Sequence, residues 1–213
     1  RVALVLPLVR RYKFGLPIVE VIDRGVTDYN IALPGPGVPT SKDAAERAFD
    51  ALARALRPYV SLRLRKMPVA LDGLPHPFAC LDDAQMSRLA AHNVRLPVSE
   101  AAYLASLGKK KRSEMQRVRR SFEALGNLRI GIAQTLDERR DVFALIRAAQ
   151  RRRVPDKGDR YFLEDEGYRQ FYQSLVEDPT FDAFTTVTGV WLDGRPIAGL
   201  LGIRRGNRYI ALR

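Results

Sequence analysis

The chain reads as an α+β protein with mainly antiparallel sheets, arranged as two units that meet near Val98. Three observations predict this. Strand-like patterns over Phe184–Leu192, Arg195–Arg204 and Arg208–Arg213 are separated only by Asp193-Gly194 and Gly206-Asn207, residue pairs that suit tight hairpins. A second β-rich pair opens the chain. The helical patterns are grouped between strand sets instead of alternating with single strands, which argues against a doubly wound parallel sheet.

Taken in order, Val2–Tyr12 and Leu16–Asp23 are apolar, β-branched runs around a turn at Phe14-Gly15, and predict a hairpin or adjacent strands. Thr27–Leu33 predicts a further short extended piece, and the Pro/Gly run Pro34–Pro39 breaks it. Ser41 is placed to cap a helix over Ala44–Leu56, with Ala45, Phe49, Leu52 and Leu56 on one face and Pro58 as its stop. Val60–Arg65 and Asn93–Val98 alternate as strands do; the proline-rich Pro68–Pro77 between them has no clear period.

In the second unit, Ser99 caps a helix through Leu107, and Gly108 separates it from a basic helix that closes at Gly126. Leu128–Ala133 alternates as a strand. Thr135-Leu136-Asp137-Glu138 fits a capping box, opening a helix to about Arg152 that buries Val142, Phe143, Ile146 and Ala149. The charged run Arg151–Arg160 reads as an exposed loop, and Tyr168–Val176 as a helix before the final strands.

Composition bounds the function. With 213 residues, 46% apolar and 28% charged, the chain is long enough to bury sizeable cores and is not of disordered type. The 36 Lys and Arg exceed the 24 Asp and Glu, giving net +12 and favouring an anionic partner: nucleic acid, a phosphorylated cofactor, a sugar nucleotide or a membrane surface. Cys80 has no second cysteine to pair with and reads as a small core residue; with His76 and His92 it falls short of a zinc ligand set. No apolar run has the length of a membrane span and no signal peptide opens the sequence, so a cytoplasmic protein without a metal is expected. Arg1 opens the sequence on an apolar strand and Arg213 closes it on another, so a fragment is expected.

The most informative stretch is Leu107–Gly126, LGKKKRSEMQRVRRSFEALG. Met115, Val118, Phe122 and Leu125 recur at helical spacing, and burying all four would contribute roughly 6–12 kcal/mol at most. Lys109, Arg112, Gln116, Arg119 and Arg120 form a second stripe beside them. Guanidinium groups fixed in this way suit phosphate or carboxylate; the alternative is an ordinary solvated face. Leu107-Gly108-Lys109-Lys110 is not a phosphate loop, because Tyr103 replaces the first glycine and no Ser or Thr follows. No catalytic triad is legible. Asp28-Tyr29 pairs a carboxylate with a phenol beside a strand end, where it would orient or deprotonate an acceptor, or form an ordinary turn. Trp191 reads as core or sheet surface.

Three segments carry a family resemblance: Tyr103–Gly126, with its Tyr-Leu-Ala-Ser-Leu start and closing Leu-Gly; Trp191–Arg213, with paired strands around Gly-Arg-Pro; and the early LVLPLVRR and GVTDYNIALPG. In these the chain resembles the GNAT-type acyltransferases of the CelD/BcsL family, associated with bacterial cellulose biosynthesis, and through them the FemAB-type tandem GNAT folds. The resemblance implies tandem GNAT-like lobes, 1–98 as a degenerate copy and 99–213 as the later lobe, with the Gly-rich cofactor turn expected after Arg213. It implies acyl transfer from acyl-coenzyme A (acetyl-coenzyme A), or from aminoacyl-tRNA on the FemAB analogy, to a small-molecule or saccharide acceptor. Asp28 and Tyr29 are then the catalytic candidates, and Lys109, Arg112, Gln116 and Arg119 the candidates for substrate or phosphate. The alternatives are a nucleic-acid-binding protein using the helix over 109–120, or a non-catalytic GNAT-like scaffold.

Overall fold

The computed structural model describes residues 4–23, 27, 29–71, 73–87, 94–156 and 161–212. The chain divides into two compact units, Arg1–Val94 and Arg95–Arg213.

In the earlier unit, β1 (Leu4–Val5) pairs antiparallel with β4 (Leu33–Pro34). The predicted hairpin is present: β2 (Leu8–Lys13) runs antiparallel to β3 (Leu16–Val21). Its turn residues Phe14 and Gly15 sit at φ of 52° and 76°, the left-handed pair that matches strand twist. Helix α1 (Lys42–Ala55) starts where Ser41 Oγ accepts a hydrogen bond from Ala44 N at 3.3 Å. It returns the chain to β5 (Ser61–Arg63), which lies parallel to β3, the parallel member of an otherwise antiparallel, mixed sheet. The core holds Val19, Val21 and Ala45, with Phe49 meeting Phe78 edge-on at 5.5 Å. The proline-rich stretch forms a small hairpin, β6 (Ala70–Leu71) with β7 (Leu74–Pro75).

The later unit begins with α2 (Glu100–Ser106), whose Ser99 cap accepts from Ala102 N at 3.1 Å, and α3 (Lys109–Glu123). Then follow β8 (Leu128–Ile132), α4 (Leu136–Asp156), α5 (Glu166–Glu177), β9 (Thr185–Leu192), β10 (Arg195–Arg205) and β11 (Arg208–Ala211). The four strands make one antiparallel sheet in the order β11-β10-β9-β8. The hairpin turns are those read from sequence, with Asp193 and Gly194 at φ of 48° and 79°. Helix α4 lies on β10 and β9, and α5 on α4 and β9. Val142, Phe143 and Ile146 of α4 and Tyr172, Leu175 and Val176 of α5 are buried there with Val187, Trp191 and Leu201.

Register explains how close the helices come. Gly131, Gly189 and Gly199 stand side by side across β8, β9 and β10. A Cβ on Gly199 would lie 2.5 Å from Val142 Cγ1 and 3.1 Å from Ile146 Cγ1, so α4 approaches β10 only because that side chain is absent.

Several expectations are corrected. The described residues 94–97 form no strand. Residues 151–156 continue α4, Pro155 included. Ala149 is exposed, although its spacing puts it on the face of Val142 and Ile146. Cys80 is exposed as well, its thiol donating to Pro77 O at 3.2 Å. The capping box is half made: Thr135 Oγ1 accepts from Glu138 N at 3.2 Å, but the Glu138 carboxylate turns to Gln134 N at 2.7 Å, one residue earlier than the motif specifies.

Candidate functional site

Helix α3 forms where predicted, with Gly108 as its N-cap, but its apolar stripe is not packed into a core. Met115, Val118, Phe122 and Leu125 are 40%, 44%, 38% and 67% exposed. The stabilisation expected from burying them is therefore only partly realised. Periodicity identified the face and not a partner for it.

The opposite face carries a shallow concavity of about 410 Å³ lined by Ser113, Gln116, Arg117, Arg120 and Ser121. Its lining comes from one helix, at the successive three- and four-residue steps that share a face. Of the predicted binding residues it includes Gln116. Lys109 is exposed and Arg112 half-buried, both outside that lining. Arg119 is turned aside: its Nε donates to Glu123 Oε1 at 2.9 Å, and a second nitrogen lies 3.8 Å from Glu100 Oε1. The hydrogen bond and charge of Glu123, with the charge of Glu100, raise the Arg119 pKa further. Two guanidinium groups, two hydroxyls and an amide along one helix can hold a phosphate or carboxylate.

Of the predicted catalytic pair, Asp28 lies outside the described residues and Tyr29 is half-buried in the earlier unit. Beside it is a polar anchor that sequence reading missed. Asn30 is buried, and its amide donates to Asp23 Oδ2 at 3.1 Å and Arg65 O at 2.8 Å. Asn30 N donates to Lys66 O at 2.9 Å, and Lys66 Nζ reaches Asp23 at 3.4 Å and Thr27 O at 2.9 Å. A buried side chain satisfied in this way fixes Asn30, and with it Thr27, against Arg65 and Lys66. His92 lies outside the described residues. His76 is buried, accepts at Nδ1 from Phe78 N at 3.2 Å, and is held neutral because burial lowers its pKa. These are the features of a structural histidine.

The second feature is the uncovered face of the later sheet. Residues paired across an antiparallel ladder share a face. Ile130, Val190 and Ala198 therefore fall on the side away from the Gly199–Val142 contact, as do Ile132, Thr188 and Leu200. Ile130, Ile132 and Leu200 are 59%, 50% and 38% exposed. Tyr209 lies on this face over Gly202, where a side chain would overlap its ring, and its hydroxyl is bonded to Thr188. Burial pushes the Tyr209 phenol up and the Thr188 hydrogen bond partly opposes this, so the hydroxyl stays protonated at neutral pH.

Beside that face, β11 ends the sheet. Leu212 N donates to Leu201 O at 2.8 Å. Bonding alternates along an antiparallel ladder, so Ile210 and Arg208 also turn their backbone groups toward β10. Tyr209 and Ala211 then turn theirs away from β10, and among the described residues no strand pairs with them there.

Residues 109–213 match the family model of the acetyltransferase (GNAT) domain. The match opens at the first residue of α3 and takes in the whole four-stranded sheet with α4 and α5. It supports a GNAT-type acyltransferase assignment for this part of the chain, and the mixed α+β arrangement is consistent with a GNAT fold. No curated protein and no solved structure matches the chain. In the GNAT-type segment, Tyr209, Thr188 and the β11 edge are the features that sequence reading missed. They converge only through strand register, although the alternation over 208–211 could have marked Tyr209 as a face residue.

Proposed function

We propose that the chain transfers an acyl group from acyl-coenzyme A to an amine or hydroxyl acceptor. The observation that carries this reading is the GNAT match over residues 109–213, a segment whose sheet shows an exposed apolar face beside β11. Acyl-coenzyme A is the co-substrate and supplies the activated thioester. Its pantetheine amides are of the right chemistry for the outward backbone groups of Tyr209 and Ala211, in the manner of strand addition. The exposed apolar side chains beside them suit the acyl and pantetheine carbons. The chain's contribution is then to bind, orient and exclude water, with the Tyr209 hydroxyl as a proton-bearing hydrogen-bond donor near the edge.

The finer parts of the reading rest on sequence. A saccharide acceptor, a link to cellulose biosynthesis, the CelD/BcsL and FemAB relationships, tandem lobes at 1–98 and 99–213, and a cytoplasmic setting come from the resemblance. Asp28 and Tyr29 are the proposed groups for orienting the acceptor, and Lys109, Arg112, Gln116 and Arg119 for its phosphate or carboxylate. Arg119 would have to leave Glu123 and Glu100 to take part. A nucleic-acid-binding function is less favoured, because the GNAT match already accounts for the segment that holds the basic helix.

Titration calorimetry with acetyl-coenzyme A on the full-length protein tests the reading. Saturable binding that desulfo-coenzyme A competes for is expected. A folded protein that takes up no acetyl-coenzyme A at millimolar concentration would leave a scaffold role as the reading. Once an acceptor is in hand, Arg112→Ala with unchanged acceptor affinity and intact folding removes Arg112 from the site.

A further inference from the structure

We propose that α3 is an interfacial anchor that lays this chain on an anionic lipid surface. The proposal is independent of the acyl-transfer reading. It starts from two properties of one 15-residue helix that are usually separated: an apolar stripe left in water, and a dense positive charge around it.

The stripe is continuous. At about 100° per residue, Met115, Val118 and Phe122 fall within one sector of α3, Leu125 follows just past its end, and all four are substantially exposed. An uncovered aromatic and three aliphatic side chains in a row are unfavourable in water and favourable in the acyl boundary of a bilayer. The helix carries seven Lys and Arg against two Glu. By the same angular reading Lys110 flanks the stripe on one side, with Glu114 at that edge, Arg112 and Arg119 flank it on the other, Lys111 lies within it, and Arg117 belongs to the opposite face. Among the described residues, Lys110, Lys111, Arg112 and Arg117 form no ion pair, while Arg119 is engaged by Glu100 and Glu123. Long basic side chains at the border of an apolar stripe can keep their stems in the lipid boundary and their charges at headgroup level. No helix among the described residues is long and apolar enough to cross a membrane, so the helix would lie in the interface plane.

Charge complementarity selects the occupant. A nucleic acid would satisfy the cations but leave Phe122 and Leu125 in water. A second copy would bring two strongly positive helices together. An anionic bilayer satisfies both halves of the helix at once, phosphates taking the borders and acyl chains the stripe.

Vesicle co-sedimentation tests this, using phosphatidylcholine vesicles and equimolar phosphatidylcholine–phosphatidylglycerol vesicles. The chain should partition at least about tenfold more strongly to the anionic vesicles. Met115→Ser with Phe122→Ser should lower that binding about tenfold or more with unchanged helix content by circular dichroism. Lys110→Glu with Arg112→Glu should remove the preference for anionic lipid. Parent-like binding by the double Ser variant would mean a merely electrostatic surface and would overturn the proposal. So would equal binding to both vesicle types, no binding to either, binding to RNA with the vesicles ignored, or a stripe variant that changes only the oligomeric state.

Discussion

The guanidinium carbon of Arg129 sits 3.6 Å from the centroid of the Trp191 ring. The two residues face each other across β8 and β9, and Trp191 is 2% exposed. Arg129 is held in place by Glu138 at 2.5 Å, and Glu138 also accepts from Gln134 N. One cation thus covers the largest buried side chain of the later unit and ties two strands to the start of α4.

Removing that cover should loosen the sheet edge. Arg129→Ala is expected to cost about 1–2 kcal/mol, from the lost cation–π contact and the released Glu138. Trp191 is the single tryptophan of the chain, so its emission reports this site alone. Urea unfolding followed by that emission should show a lower midpoint and a red-shifted native spectrum. An unshifted spectrum would mean the indole is shielded without Arg129.

The glycine row gives a paired test of close packing. Gly199→Ala places a methyl group against Val142 and Ile146 and should destabilise by about 1–3 kcal/mol through overpacking. Gly131→Ala, one position in the same row, meets nothing within 4 Å and should be tolerated. Equal unfolding midpoints for the two variants would show that α4 can move off β10 at little cost.

How much of this was legible in the sequence depends on whether a feature is local. Ser41 and Ser99 cap their helices as read, because a cap is an interaction over three residues. The turn at Asp193-Gly194 follows from the backbone preferences of both residues, and that at Phe14-Gly15 from Gly15. The continuation of α4 through 151–156 was hidden by charge and by Pro155, both of which suggest a loop. Exposure of the α3 stripe and of Cys80 was not legible, since apolar character shows what would prefer burial and not what is available to cover it. The Tyr209–Thr188 pair depends on the register of three strands, including a shift in β10 between Pro196 and Ala198. No short-range pattern encodes it.

The two units should respond to acid at different pH. Burial lowers the His76 pKa from its ordinary 6.5, so the unfolded chain binds that proton first. Stability of the earlier unit is complete above about pH 6.5 and declines as pH falls below it. In the later unit the Glu138 pKa is lowered by the backbone N–H of Gln134 and by Arg129, and the Glu177 pKa by Arg140 and Gln173. A depressed carboxylate contributes stability that is fully present above its ordinary value of 4.5 and is lost as pH falls through the folded value. Hydrogen exchange followed peptide by peptide should show protection falling in residues 4–87 before 94–212. Loss in the reverse order would contradict the assignment.

The edge of β11 gives the most direct test of co-substrate binding. If Tyr209 and Ala211 turn their backbone groups outward, Ala211→Pro removes one outward N–H and leaves the ladder to β10 intact, as an edge strand permits. Folding should be preserved while acetyl-coenzyme A affinity falls about 3- to 10-fold, the worth of one hydrogen bond. Ile210→Pro removes an N–H that faces β10 and should destabilise the sheet whether or not ligand is present. Calorimetric titration beside thermal unfolding separates the two effects. Unchanged affinity in a folded Ala211→Pro variant would place the pantetheine chain away from this edge, because no other part of the substitution compensates for the missing donor.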